Sequence, residues 1–263
     1  MSQEKEIEKW LAKSGYPLEM RVASAFRSVG FRVTQSTYLN DIETQKPREV
    51  DLIATWQQSV KNGWWMNVSF VIECKSTTNK PWVFFTGDAT EDLGSLFWLS
   101  WFPSAGLSGE ASGFLTHFHE LLNEWSFFKP TERMAYSATE AFTQGQDKVY
   151  ESINKIVGVA ESMVALTERR IKPGFRIVEY VFPLVITDAE MFNVSLNDQD
   201  KLKIESTSEA LLPLRKEQSC LVRILALNML DDFTEMAMND ARTFTERFAD
   251  ALLEKMEFGL DMG

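Results

Sequence analysis

The sequence predicts an α/β fold, a mixed central sheet flanked by helices, and three observations carry that expectation. Leu18, Val22, Ala25, Phe26 and Val29 recur at helical spacing; three runs of strand character follow in quick succession; and a long helical stripe over residues 141–166 leads into a further apolar strand. A helix, three strands, a helix and a strand is the order of a sheet covered by helices. The chain has 263 residues, 44% of them hydrophobic, enough for one large domain with an elaborate insertion.

Taken in order, residues 4–13 read as a charged amphipathic helix that Ser14-Gly15-Tyr16 interrupts. Pro17 suits the first turn of the next helix, where a missing N–H is no loss, and Gly30 closes it. Phe31 to Leu39, Arg48 to Trp56 and Val68 to Ser76 read as strands. The polar turns at residues 40–47 and at Lys61-Asn62-Gly63 leave them close enough for an antiparallel meander. Residues 80–138 depart from this rhythm. Trp82, Phe84, Phe85, Phe97, Trp98, Trp101, Phe102, Phe114, Phe118, Trp125, Phe127 and Phe128 crowd there, and we read an aromatic-rich insertion with a small core of its own.

The helix of residues 141–166 sets Val149, Ile153, Ile156, Val157, Ala160 and Met163 on one face. Phe175 to Thr187, Met191 to Val194 and Cys220 to Leu227 then read as strands. Phe233, Met236, Phe244, Phe248, Leu252 and Met256 line a final helix expected to cover the sheet. The expected organisation is a single domain with its core in residues 14–79 and 140–195. Residues 80–138 form the insertion and 196–263 a C-terminal extension.

Composition narrows the function classes. The opening MSQEKEIEKW is charged, and no apolar run reaches the length that spans a bilayer, so we expect a soluble, cytoplasmic protein without a membrane partner. Cys74 and Cys220 stand far apart, outside any zinc-ligand spacing, and read as buried small hydrophobes. The net charge of −11 argues against tight, non-specific DNA binding. Its distribution softens that point. Residues 1–79 hold 10 Lys and Arg against 9 Asp and Glu, a balance of +1, so residues 80–263 account for −12.

The chemistry concentrates in two strands. Asp51 interrupts the apolar run REVDLIATW, and Glu73 and Lys75 interrupt VSFVIECKS, with Cys74 alone between them. Strand side chains alternate between faces, so Glu73 and Lys75 share one face and Ile72 and Cys74 the other. An ion buried in a strand costs several kcal/mol unless it is paired or binds a metal. Asp51 and Glu73 are suited to a hard cation such as Mg²⁺, for which Mn²⁺ substitutes, and Glu19 on the preceding helix is a candidate third acid. Beside them, Lys75 is placed to stabilise charge developing on a phosphate and to orient the attacking water or take its proton.

These elements resemble the PD-(D/E)xK nuclease superfamily, of restriction-endonuclease-like fold, whose core runs helix, three-stranded meander, helix, strand. The resemblance rests on GYPLEMRVASAFRSVGF, REVDLIATW and VSFVIECKS. It implies that Asp51 is the family's aspartate, Glu73 its second acid, Lys75 its lysine and Glu19 its helical glutamate. Val50 stands where the family often has proline. Gln146-Asp-Lys-Val-Tyr150 is similar to the QxxxY pattern of RecB-like branches, which makes Gln146 and Tyr150 auxiliary residues. The resemblance covers residues 14–76 and 140–187 and implies Mg²⁺-dependent cleavage of DNA, with products bearing a 5′-phosphate and a 3′-hydroxyl, in restriction, phage defence or repair.

Each motif has a plainer reading. For Asp51, Glu73 and Lys75 it is a structural ion-pair cluster, which we set second because spacing, strand context and preceding helix agree. For Glu19 it is an acid favoured by the helix dipole, and for Gln146 and Tyr150 an ordinary helix boundary. His117 and His119, near Glu120 and Glu124, lie on different helical faces and are not read as a metal site; Asp88, Glu91 and Asp92 read as a solvated turn. The aromatic insertion lacks interleaved Lys and Arg, so it suggests a hydrophobic subdomain, a homodimer surface or a protein-partner surface rather than a base-stacking platform. Two rivals remain beside the nuclease. One is a catalytically silent module binding nucleic acid or protein, and the other an RNA or nucleotide phosphodiesterase.

Overall fold

The computed structural model describes residues 2–12, 14–42, 45–60, 63–77, 80–87, 104–105, 134–143, 147–171, 176–215 and 219–257. It is a mixed α/β structure with two mixed sheets and four α-helices among the described residues. Helix α1 (Gln3–Leu11) precedes α2 (Tyr16–Ser28), and a meander follows: β1 (Arg32–Asn40), β2 (Pro47–Ser59) and β3 (Trp64–Lys75). Next come β4 (Trp82–Thr86), β5 (Ser104–Ala105) and β6 (Ala135–Glu140), then α3 (Lys148–Glu168). Strands β7 (Arg176–Thr187), β8 (Met191–Leu196), β9 (Leu202–Thr207), β10 (Glu209–Arg215) and β11 (Ser219–Ala226) lead to α4 (Leu230–Glu257).

The larger sheet runs β1-β2-β3-β7-β11-β10, with β5 paired to β7. β1, β2 and β3 pair antiparallel, and β7 then joins β3 in parallel from Trp64↔Arg176 to Lys75↔Thr187. A parallel neighbour needs a crossover, and α3 lies in the connection from β3 to β7. The helix–meander–helix–strand order is thus realised in α2, β1–β3, α3 and β7. The smaller sheet, β6-β4-β8-β9, holds the strands 82–86, 135–140 and 202–207, which hydrophobic periodicity did not reveal.

The period of two separates the faces of the larger sheet. Leu52 and Ala54, Phe70 and Ile72, and Phe182 and Leu184 join one core with Leu18, Val22 and Phe26 of α2 and Phe233 and Phe244 of α4. Val71, Val181, Val185 and Val222 belong to the opposite core with Val149, Ile153, Ile156 and Val157 of α3. Both faces are covered, which is why β3 reads as a nearly continuous apolar run. Trp82 and Phe84 are fully buried in this second core, packed with α3 rather than in a separate one. Phe97, Trp98, Trp101, Phe102, Phe114, Phe118, Trp125, Phe127 and Phe128 lie outside the described residues, as do Asp88, Glu91, Asp92, His117, His119, Glu120 and Glu124.

Two boundaries have visible causes. Gly30, at φ 108°, closes α2, where its left-handed backbone lets Phe31 N–H reach the Phe26 carbonyl at 3.0 Å. The long helix starts at Lys148 rather than Ala141, because the Asp147 carboxylate accepts from Val149 N–H at 3.0 Å and fixes the first turn there. Ahead of it, residues 135–140 form β6. Both cysteines are free and buried, and no helix among the described residues is long and apolar enough to cross a membrane.

Phe70 meets Phe26, Phe31, Phe182 and Phe233 with ring centroids 5.3–5.8 Å away, so one ring ties two strands to both helices of that face. Phe70→Ala is expected to cost about 4 kcal/mol by denaturant unfolding. Glu179 is buried under α3, accepting from Ser69 Oγ at 2.8 Å and from Thr167 Oγ1. Burial raises its pKa, although those hydroxyls pull the other way. A raised carboxyl binds its proton more tightly folded than unfolded, so ionising it weakens the fold as pH climbs from about 4.5 through the folded value. Melting curves should accordingly show Glu179→Gln gaining on wild type between pH 4.5 and 7.5.

Candidate active site

The meander and α3 bring four charged side chains together at the carboxyl end of β3. Asp51 shares the α3-facing parity of Ile53 on β2, and Glu73 and Lys75 share that of Val71 on β3. The β2–β3 register ends at Leu52↔Ile72, and beyond it Asp51 Oδ2 accepts the Cys74 N–H at 2.8 Å. A side chain thereby continues the ladder and fixes the Asp51 carboxylate against β3. At the same end Thr187 Oγ1 donates to the Lys75 carbonyl at 2.8 Å, tying β7 to the strand's last residue. This is the edge where sheets with parallel strands commonly present their ligand sites.

Glu73 is wholly buried. Lys75 Nζ lies 2.7 Å from its Oε1 and Lys155 Nζ 2.5 Å from its Oε2. Lys155 Nζ also lies 3.4 Å from Asp51 Oδ1, so one ammonium bridges the two carboxylates. Lys155 was not singled out from the sequence. Its signal was there, a lysine beside Ile156 and Val157 in the α3 stripe, but nothing in periodicity says which buried acid such a residue meets. Gly158, one residue beyond Val157, faces the Arg48–Asp41 ion pair: a Cβ there would meet Asp41 Oδ2 at 3.5 Å and Arg48 Cζ at 3.6 Å, ordinary contact distances.

The electrostatics follow from burial and crowding. Burial pushes the Glu73 pKa up, Asp51 adds to it, and Lys75 and Lys155 oppose both. Burial would lower Lys155, yet Glu73 and Asp51 more than offset it and hold the ammonium above its ordinary value. Glu19, partly buried on α2, is raised by burial and then by Asp51, Glu49 and Glu73, which sets it within electrostatic reach of the cluster. Burial, with Asp51 and Glu19 nearby, pushes the Cys74 thiol well up and disfavours its thiolate.

Asp51, Glu73 and Lys75 are therefore adjacent, and Glu19 is near without touching them. Tyr150 is 62% exposed, and the structure does not bring its side chain into the ion pairs. Gln146 lies outside the described residues. Among the described residues no group of three or more His, Cys, Asp or Glu side chains is arranged to hold a metal ion. Two carboxylates are what the site offers, with the Glu73 carboxylate closed off from solvent and each of its oxygens held by one lysine. That donor set fits Mg²⁺, which takes one or two carboxylates and completes its shell with water and substrate oxygens. Compared with protein-family models, curated proteins and solved structures, the chain matches none.

Asp51→Ala leaves the Cys74 N–H without its acceptor and should cost about 1–3 kcal/mol by chemical denaturation. Asp51→Asn keeps an acceptor oxygen in place and should cost less, which makes it the better variant for separating charge from fold.

Proposed function

We propose that this chain is a metal-dependent nuclease of restriction-endonuclease-like fold, hydrolysing phosphodiester bonds of nucleic acid, with DNA favoured over RNA. The observation that carries this reading is the convergence of Asp51 Oδ1 and Glu73 Oε2 on one cationic atom, at 3.4 and 2.5 Å, with Lys75 beside them. Support also comes from the order α2, β1–β3, α3, β7 with β7 parallel to β3, which is the order the resemblance implies. Preference for DNA, and a place in restriction, phage defence or repair, rest on that resemblance alone.

Asp51 and Glu73 would hold Mg²⁺ or Mn²⁺, with Glu19 contributing charge from α2. The ion would supply positive charge to the phosphate oxygens and acidify a water. Asp51 is oriented by the Cys74 amide and Glu73 by burial, so neither carboxylate must reorganise as the reaction proceeds. Lys75, partly exposed while Glu73 is not, reaches from the buried carboxylate towards solvent. From there its ammonium can orient the attacking water and stabilise the phosphate. Water adds across the P–O3′ bond, its oxygen to phosphorus and a proton to the departing 3′ oxygen, leaving a 5′-phosphate and a 3′-hydroxyl.

The bridging ammonium also favours a second reading, a binding module whose charges are purely structural. Lys75 and Lys155 already compensate Asp51 and Glu73, so the cluster is stable as an ion-pair network without any ligand. Cleavage of plasmid, single-stranded DNA and RNA with Mg²⁺ or Mn²⁺ separates the two. Wild type should cut, and Asp51→Asn and Lys75→Ala, at matched folding, should each lose about a hundredfold or more in rate. No cutting by wild type, together with no metal binding by titration, would leave the binding module.

A further inference from the structure

Lys155 deepens that reading and rests on it. Its ammonium stands between Asp51 Oδ1 and Glu73 Oε2, the two oxygens offered to a metal. A magnesium ion must come within about 2.1 Å of its ligand oxygens, and an ammonium already 2.5 Å from one and 3.4 Å from the other takes up the same space. Two cations cannot share it. Glu73 has no solvent exposure, whereas the Lys155 side chain is 28% exposed, so the carboxylate is held in place and the ammonium, on its four-carbon stem, has a way out.

We infer that Lys155 is a resident counterion of the Asp51–Glu73 pair which a divalent cation displaces, so that loading the metal frees an ammonium for the phosphate of the substrate. Two needs of the site are met by one side chain. Before loading, Lys155 compensates a carboxylate pair that Lys75, reaching only Glu73 Oε1, does not neutralise alone. After loading, the same charge is close enough to the metal to meet the phosphodiester, whose negative charge replaces the carboxylates as its partner. The consequence is a thermodynamic one: Lys155 competes with the metal, and its removal strengthens metal binding.

The test is Mn²⁺ binding by isothermal titration calorimetry on the full chain at pH 8. Lys155→Met should bind about tenfold more tightly than wild type or better, because a positive charge next to the ion is gone, while Lys155→Arg stays close to wild type. A merely structural lysine predicts the reverse, since its loss would loosen the carboxylates. Wild type supplies a second measurement that needs no variant. Acylation of lysines followed by mass spectrometry should show Lys155 becoming more reactive when Mn²⁺ is added. Equal or weaker binding by a folded Lys155→Met, or unchanged Lys155 reactivity in metal-saturated wild type, overturns the counterion and leaves the nuclease reading standing. Absence of Mn²⁺ binding in both wild type and Lys155→Met removes the metal site and this inference together.

Discussion

The burial of the Glu73 carboxylate between the central sheet and α3 is the constraint on which the surrounding structure depends. An ion taken out of water at that depth is tolerable only when opposite charge and fixed geometry accompany it. Lys75 supplies one charge from the same face of the same strand, and Lys155 supplies the other from the crossover helix. The helix must therefore lie at a defined height on the sheet. Its start at Lys148, fixed by the Asp147 cap, serves that placement.

A charged cluster of this kind is balanced between two uses. As an ion-pair network it neutralises itself and needs nothing else. As a metal site it requires that one positive partner withdraw. Glu73 is sealed while both lysines reach solvent, so the group that would move is a lysine and not the carboxylate. The mean surface is acidic, with a net charge of −11, so a nucleic-acid substrate would meet favourable charge at restricted places rather than over the whole molecule. In the reading proposed above, a cation joining Asp51 and Glu73 would add such a place at the carboxyl end of β3.

The two faces of the sheet divide the work. The face turned to α2 and α4 is apolar and aromatic, with Phe26, Phe70, Phe182 and Phe233 packed ring against ring. The face turned to α3 mixes an apolar core with buried acids, Glu73 at one end of the strands and Glu179 further along them. Alternation along β3 and β7 makes this division possible, since each strand presents one chemistry to each side.

Much of this was legible before any coordinates. The α2 stripe, the three meander strands and the break in apolar character at Asp51, Glu73 and Lys75 are local signals, and local geometry already places Glu73 and Lys75 on one face. Strands β4 and β6 were not legible, because they are short and β4 pairs with segments far away in the chain; β9, which pairs with its neighbour β8, is exposed over nearly all its length and has no buried face to mark it. Nor was the true start of α3, where a side-chain cap overrode an apparent continuation of the helix. The sequence by itself determined which residues carry charge into the sheet and on which side they stand. Only the tertiary structure decided that Lys155, 80 positions beyond Lys75 in the chain, completes their charge, because that contact comes from the docking of a crossover helix and no local periodicity encodes where such a helix comes to rest.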